Sequence, residues 1–191
     1  MAKQLGFYID ARRCVQCHAC VVACKTANGV EAGVSWRRVL NYWSGQYPKV
    51  TNRSISLSCL HCAQPACRDV CFKGAIKKRA EDGIVVVDAE VCNGCGKCAD
   101  ACPYGVPQFG RDGTLQLCNL CLDRLLEDKE PACIATCPGE ALAFGDMEAL
   151  AKLAAANGGE RLSGFAEPSL FVTSADADLS PQAYVAEFFR R

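Results

Sequence analysis

Sixteen cysteines in 191 residues fall into four groups of four. The first, Cys14, Cys17, Cys20 and Cys24, has gaps of two, two and three residues. The third, Cys92, Cys95, Cys98 and Cys102, repeats that spacing and is closed by Pro103. The second, Cys59, Cys62, Cys67 and Cys71, opens its middle gap to four residues; the fourth, Cys118, Cys121, Cys133 and Cys137 before Pro138, opens it to eleven. Runs of this kind hold 4Fe–4S clusters, with three close thiolates on one cluster and the fourth reaching its neighbour. Sixteen thiolates suffice for four clusters with none left over, so electron transfer is the chemistry expected.

Two other uses of these residues are weaker. Zinc sites take paired C-x2-C elements, four ligands to one ion, and do not need four cysteines on one short segment. Only the fourth group, read alone, suits zinc as well. Cys14-Val15-Gln16-Cys17-His18 matches the haem-attachment pattern, but that use would orphan Cys20 and Cys24. His18 and His61, the two histidines, both lie inside cysteine groups, as neighbours of a cluster, donors to sulfur or surface residues. No nucleotide loop or nucleophile motif stands apart from the cysteines, and a non-catalytic conductor is expected.

Half the chain is apolar, but cysteine is a large part of that half, so bound metal must supply much of the folding free energy. The 21 basic and 21 acidic residues balance, counting cysteine as neutral. Oxidised four-thiolate clusters each add about −2, and Arg13, Lys25, Arg68, Lys73 and Lys97 are placed to offset part of it. Nothing resembles a nucleic-acid stripe. The opening residues carry no apolar signal core, and no stretch approaches the roughly 20 apolar residues of a membrane span. The expected chain has no direct span and is either free or carried by a partner.

Short elements must position the thiols. Leu5 to Ile9, before Asp10, and Ile84 to Val87, before Asp88, read as strands leading into the first and third groups. Gly74 to Ile76 and Glu140 to Phe144 read as strands leaving the second and fourth. Ala80-Glu81-Asp82-Gly83 joins Ala75–Arg79 to Ile84–Asp88 as a hairpin, its Asp-Gly favouring a tight turn. Gly94 and Gly96 permit the left-handed turns needed for backbone to approach a cluster closely. The fold expected is α+β: two nested bacterial-type 2×(4Fe–4S) ferredoxin-like domains with short strands, short helices, long loops and a C-terminal extension. Residues 52–110 form the inner domain, 1–51 and 111–146 the outer one, closed by pairing of the strands before Cys14 and after Cys137. The 34 residues between Cys24 and Cys59 include Trp36, Tyr42, Trp43 and Tyr47. They suit a lid over the clusters or a partner interface. Met147 to Ala156 suits a helix stopped by Asn157-Gly158-Gly159. Residues 161–191, ending in Phe188-Phe189-Arg190-Arg191, show no period and read as a tail wrapping a partner or the outer domain, or as disordered.

The four-group pattern resembles the iron–sulfur subunits of the DMSO reductase family of molybdoenzymes, over about residues 5 to 150. Phe7-Tyr8-Ile9-Asp10, Val34-Ser35-Trp36-Arg37-Arg38 and Cys102-Pro103-Tyr104-Gly105 pull it towards the B subunits of membrane-bound DMSO reductases. The resemblance implies four 4Fe–4S clusters on shared ligand sets. Cys14, Cys17 and Cys20 take Cys137; Cys59, Cys62 and Cys67 take Cys102; Cys92, Cys95 and Cys98 take Cys71; Cys118, Cys121 and Cys133 take Cys24. It also implies a molybdenum (or tungsten) bis-pterin catalytic partner and a quinol-linked membrane anchor. The location implied is peripheral on the bacterial inner membrane, on the periplasmic face by co-export, with a cytoplasmic home as the alternative. Phe72 departs from the family's frequent proline. A free polyferredoxin is the alternative function.

Overall fold

The first strand, β1 (Leu5–Asp10), is buried at all six positions, because the sheet that holds it is covered on both faces. The structure, a computed structural model, describes residues 3–188. After β1 come a 3-10 turn (Ala11–Arg13), α1 (Ala19–Ala27), β2 (Arg38–Gln46), β3 (Lys49–Leu57), α2 (Ala66–Asp69), β4 (Ile76–Lys78) and β5 (Val85–Val87). Then follow α3 (Lys97–Ala101), β6 (Gln108–Phe109), β7 (Leu115–Gln116), α4 (Leu122–Leu126), α5 (Ala132–Ala135), β8 (Leu142–Asp146) and α6 (Met147–Ala156). The last elements are β9 (Glu160–Arg161), β10 (Leu170–Thr173) and α7 (Pro181–Glu187). Short helices, short strands and long connections give the α+β class expected.

β1 pairs antiparallel with β8, Phe7 opposite Phe144, as anticipated for the strands flanking the first and fourth groups. Alternation along β1 sends Leu5, Phe7 and Ile9 into the main core and Tyr8 into a second cluster with Leu150, Ala154 and Phe171 under α6. Gly6 lets that sheet close up, since a Cβ there would stand 2.4 Å from the Ser169 carbonyl oxygen. Helix α6 occupies the span read for it, with Asp146 accepting from the Glu148 amide at 2.9 Å. The β4–β5 hairpin pairs Ile76 with Val87, and Asp82 in its turn accepts from the Ile84 amide at 3.0 Å.

For two segments the sequence leaves alternatives open. The tail is part of the central sheet, with β10 parallel to β1 in the order β8-β1-β10-β9. Beyond it, Ser180 caps α7 and Tyr184 is fully buried, its hydroxyl donating to the Ser54 carbonyl at 2.8 Å and accepting from the Ser54 amide at 3.1 Å. The tail thus wraps this chain; Phe189, Arg190 and Arg191 lie outside the described residues. The aromatic linker does not form a simple lid. Its second part is the β2–β3 hairpin, which runs across residue 51 to residue 57. The base of the hairpin, with Ser54, Ile55, Ser56 and Leu57, is buried, whereas Trp43 is 66% and Tyr47 93% exposed near its tip.

Helices α1 and α5 pack together, as do α2 and α3. These four carry Cys20 and Cys24, Cys133, Cys67 and Cys98. That packing brings the first cysteine group to the fourth and the second to the third.

Candidate metal centres

Each set of converging thiols begins at a C-x-x-C loop, and the four loops share one backbone feature. The residue just before the second cysteine is left-handed in all of them: Gln16 at φ 58°, His61 at 43°, Gly94 at 68° and Leu120 at 59°. Only glycine adopts this conformation freely, and a side chain there costs roughly 1–2 kcal/mol. Three loops bear that cost, so the geometry is imposed by what the loop must do. A left-handed residue turns successive amide N–H groups inwards, making a concavity for an anionic centre. Gly94 was readable from its residue type; Gln16, His61 and Leu120 were legible only by their place relative to the cysteines.

Cys14, Cys17 and Cys20 line a hollow with Cys137. Gly139 permits this closure, because a Cβ would lie 2.3 Å from the Arg13 carbonyl oxygen just before Cys14. The Ala141 amide donates to Cys137 Sγ at 3.2 Å, and Ser56 Oγ stands 3.3 Å from Cys20 Sγ. A second hollow is lined by Cys92, Cys95, Cys98 and Cys71. The Leu115 amide donates to Cys92 Sγ at 3.3 Å. Burial pushes the Cys71 thiol up, but N–H groups of Ile76, Ala75, Lys73 and Gly74 together hold it below its ordinary value. Cys59, Cys62, Cys67 and Cys102 line a third hollow, walled by Leu60, Pro65, Tyr104 and Leu117.

Cys118, Cys121, Cys133 and Cys24 are all buried, and the first three lie close enough to Cys24 to act on its charge. The Leu120 amide donates to Cys118 Sγ at 3.3 Å, and Asn28 Nδ2 to Cys121 Sγ at 3.5 Å. Burial, reinforced by neighbouring thiols, pushes Cys24 and Cys67 up to about 12 and Cys62 up to about 11. Such thiols ionise when a metal centre replaces their protons. Among the described residues no three His, Cys, Asp or Glu groups are gathered so as to hold a single metal ion. Three of the quartets line hollows, backbone N–H groups reach Cys92, Cys118 and Cys137, and this donor set fits a multi-iron centre with thiolate corners.

The quartets adjoin one another in a row. Cys20 and Cys133 act on each other electrostatically, as do Cys59 and Cys118, and Cys67 and Cys98. These pairs place the first group beside the fourth, the fourth beside the second and the second beside the third. Cys17 at one end and Cys95 at the other are exposed.

The histidines divide. His18 caps α1 at the surface, while His61 is fully buried and its Nδ1 accepts from the Val85 amide at 3.1 Å. Its proton therefore sits on Nε2, which has no partner, and burial first, with Lys78 and Arg37, pushes its pKa down to about 3. The basic residues singled out by sequence are mostly engaged at the surface. Arg13 pairs with Glu140 and Arg68 with Asp69, both at 2.7 Å. Lys25 donates to the Glu31 carbonyl at 2.8 Å, and Lys73 and Lys97 lie over the Phe72 ring at 5.9 and 5.2 Å. Sequence reasoning missed Arg37, Ser56 and Asn28, whose roles depend on what the fold buries beside them.

Residues 50–147 match the 4Fe-4S dicluster domain family, and residues 12–27 the 4Fe-4S binding domain family. The protein is 44% identical over 161 residues to the B subunit of the anaerobic dimethyl sulfoxide reductase of Escherichia coli (strain K12), covering 80% of this protein and 78% of that one. It is 37% identical to the formate dehydrogenase iron-sulfur subunit of Wolinella succinogenes, over 77% of this protein and 84% of that one. The B subunit of the sulfite dehydrogenase of Allochromatium vinosum is 36% identical, over 75% of this protein and 69% of that one.

Proposed function

We propose that this chain, which belongs to the family of 4Fe–4S iron–sulfur subunits that includes the B subunit of anaerobic dimethyl sulfoxide reductase, relays single electrons through four clusters between a molybdopterin catalytic subunit and a quinol-linked membrane anchor. The observation that carries this reading is that three hollows are each lined by three cysteines of one run and one of another, while Cys118, Cys121 and Cys133 neighbour Cys24. When bound, each 4Fe–4S cluster supplies a one-electron couple. The thiols hold the clusters, inward amides stabilise negative charge on sulfur, and Leu60, Tyr104, Phe109 and Leu117 exclude water. In this reading the first and fourth runs share ligands, the second and third share ligands, and the 2×(4Fe–4S) units are nested. The row of quartets, exposed at Cys17 and at Cys95, supports a conduit with a port at each end.

Among the described residues no helix is long and apolar enough to cross a membrane, and we assign attachment to the membrane through partners. We assign the periplasmic face, reached by co-export with the catalytic partner. Selectivity for the terminal substrate then belongs to that partner. Purification without a tag tests the assignment: the chain should co-elute with a large molybdenum (or tungsten) subunit and carry about sixteen iron atoms, four per quartet. A monomer with the same iron and no partner would make it a free polyferredoxin, and a chain without iron would overturn both readings. Cys71→Ser tests ligand sharing. It should alter the EPR signal lost in Cys95→Ser and leave intact the one lost in Cys62→Ser.

A further inference from the structure

Arg37 is only 1% exposed, and among the described residues no carboxylate is paired with it. Its Nη1 donates to the Ser56 carbonyl at 3.2 Å and to Ser56 Oγ at 3.1 Å, and Nη2 to Ser58 Oγ at 2.9 Å. The guanidinium carbon sits 4.7 Å over the Phe7 ring, and Nε has no partner. An arginine side chain does not lose its proton in a protein, so this is a permanent buried charge bound to neutral groups alone. Such a charge is strongly disfavoured without negative charge nearby. The groups that act on it electrostatically are Cys133, Cys118, Cys20 and Cys24, three from the fourth quartet and one from the first.

Ser56 links the cation to sulfur. Arginine only donates, so Ser56 Oγ accepts from Nη1, and its own hydrogen is left for Cys20 Sγ at 3.3 Å. The sequence Arg37–Ser56–Cys20 is thus a directed relay of two hydrogen bonds ending on a ligand atom of the first quartet.

Resting on the four-cluster reading above, we infer that Arg37 is a buried counter-charge shared by the first and fourth quartets, set there to raise the reduction potentials of those two clusters relative to the same sites without it. A cluster carrying about −2 when oxidised gains one more negative charge on reduction, and a fixed cation beside it favours the reduced form. Arg37 and Ser56 are positioning residues in this scheme, not ligands.

The test is potentiometric EPR on the purified full-length protein, with its partner if they co-purify, comparing wild type, Arg37→Gln, Arg37→Lys and Ser56→Ala at equal iron content. Two of the four midpoints should fall in Arg37→Gln. The reduced-to-oxidised ratio of those two clusters at fixed poise should drop at least about tenfold, equivalent to about 59 mV for a one-electron couple. The other two midpoints should stay in place. Arg37→Lys should restore most of the shift, which a merely structural role for the fork would not do. Ser56→Ala should lower one midpoint only. Four unmoved midpoints in Arg37→Gln, or four that move together, would overturn the inference. If Arg37→Gln does not hold iron, Ser56→Ala decides, and its failure to move a single midpoint is then the refutation. Wild-type protein lacking four clusters would instead refute the underlying reading, and iron analysis of the wild type separates the two failures.

Discussion

Tyr184→Phe removes one oxygen atom, and the cost can be worked from what that oxygen touches. Burial pushes the phenol up to about 12, so the hydroxyl stays protonated and able to donate throughout the working range. It donates to the Ser54 carbonyl and accepts from the Ser54 amide. Ser54 lies opposite Asn41 in the β2–β3 ladder and is itself buried. Its amide and carbonyl both point at Tyr184, so in Tyr184→Phe a buried donor and a buried acceptor lose their partner together. Each orphaned group costs about 1–3 kcal/mol, and the space left by one oxygen is too small for a bridging water. Taking the lower end for each gives about 2 kcal/mol, a factor of about 30 in the local opening equilibrium. Hydrogen exchange read by mass spectrometry on the cluster-loaded protein should show protection falling about 30-fold in peptides spanning residues 49–57 and 181–187. Peptides spanning 76–87, in the separate hairpin, should be unchanged. Protection within threefold of wild type at 49–57 would refute the reasoning, because it would show that the tail does not hold this strand.

Gly94→Ala should lose the EPR signal of the third quartet, since its Cβ would stand 2.3 Å from the Gly113 carbonyl oxygen. Gly96→Ala, at φ +80° but with open space around the Cβ, should cost only about 1–2 kcal/mol and keep its iron, which colorimetric iron analysis will separate. Asp10 is buried and bonded through both oxygens to Arg12, at 2.9 and 2.7 Å. Although burial alone would raise its pKa, the hydrogen bonds and charge of Arg12 hold it below the usual value. A depressed folded-state pKa contributes stability above the unfolded value near 4 that is lost as pH falls through the folded one. Wild type should therefore exceed Asp10→Asn by a constant margin of about 1 kcal/mol from pH 8 to 5, shrinking only below about 4, in thermal unfolding followed by circular dichroism. Trp43→Ala with Tyr47→Ala should leave iron content unchanged and weaken co-purification with the catalytic partner at least about tenfold, as for exposed aromatic anchors.

The parts of the fold readable in advance were those with a local signature. Short apolar runs beside the cysteine groups announce β1 and β8, Asp82-Gly83 the hairpin, and Asn157-Gly158 the end of α6. The tail has no such signature. β10 is a four-residue strand, Leu170–Thr173, whose one local partner, β9, is only two residues long and whose full-length pairing is with β1, more than 160 residues away, so its identity comes chiefly from tertiary pairing. The site was legible as a set of thiols, because each C-x-x-C advertises itself. The run pattern sends each fourth cysteine to a neighbouring cluster; which neighbour was supplied by resemblance, since nothing in the spacing of Cys24 points to Cys118, Cys121 and Cys133. In the sequence Arg37 stands beside Arg38 with nothing local to separate them. Only the fold distinguishes them: Arg38 donates to the Gly105 carbonyl at 2.7 Å in a half-buried setting, while Arg37 is sealed beneath the hairpin.

The wrapped tail also sets a timetable. A polypeptide emerging from the ribosome has all eight thiols of the second and third groups by residue 102. Cys14, Cys17 and Cys20 wait for Cys137, which lines their hollow, and β1 gains its last neighbour only when residue 173 has been made. Strand pairing over such separations is slow, because the loop must close before its contacts reward it. The earliest cysteines to be made are thus the last to be enclosed, and for most of synthesis they are the thiols most open to oxygen and stray metal.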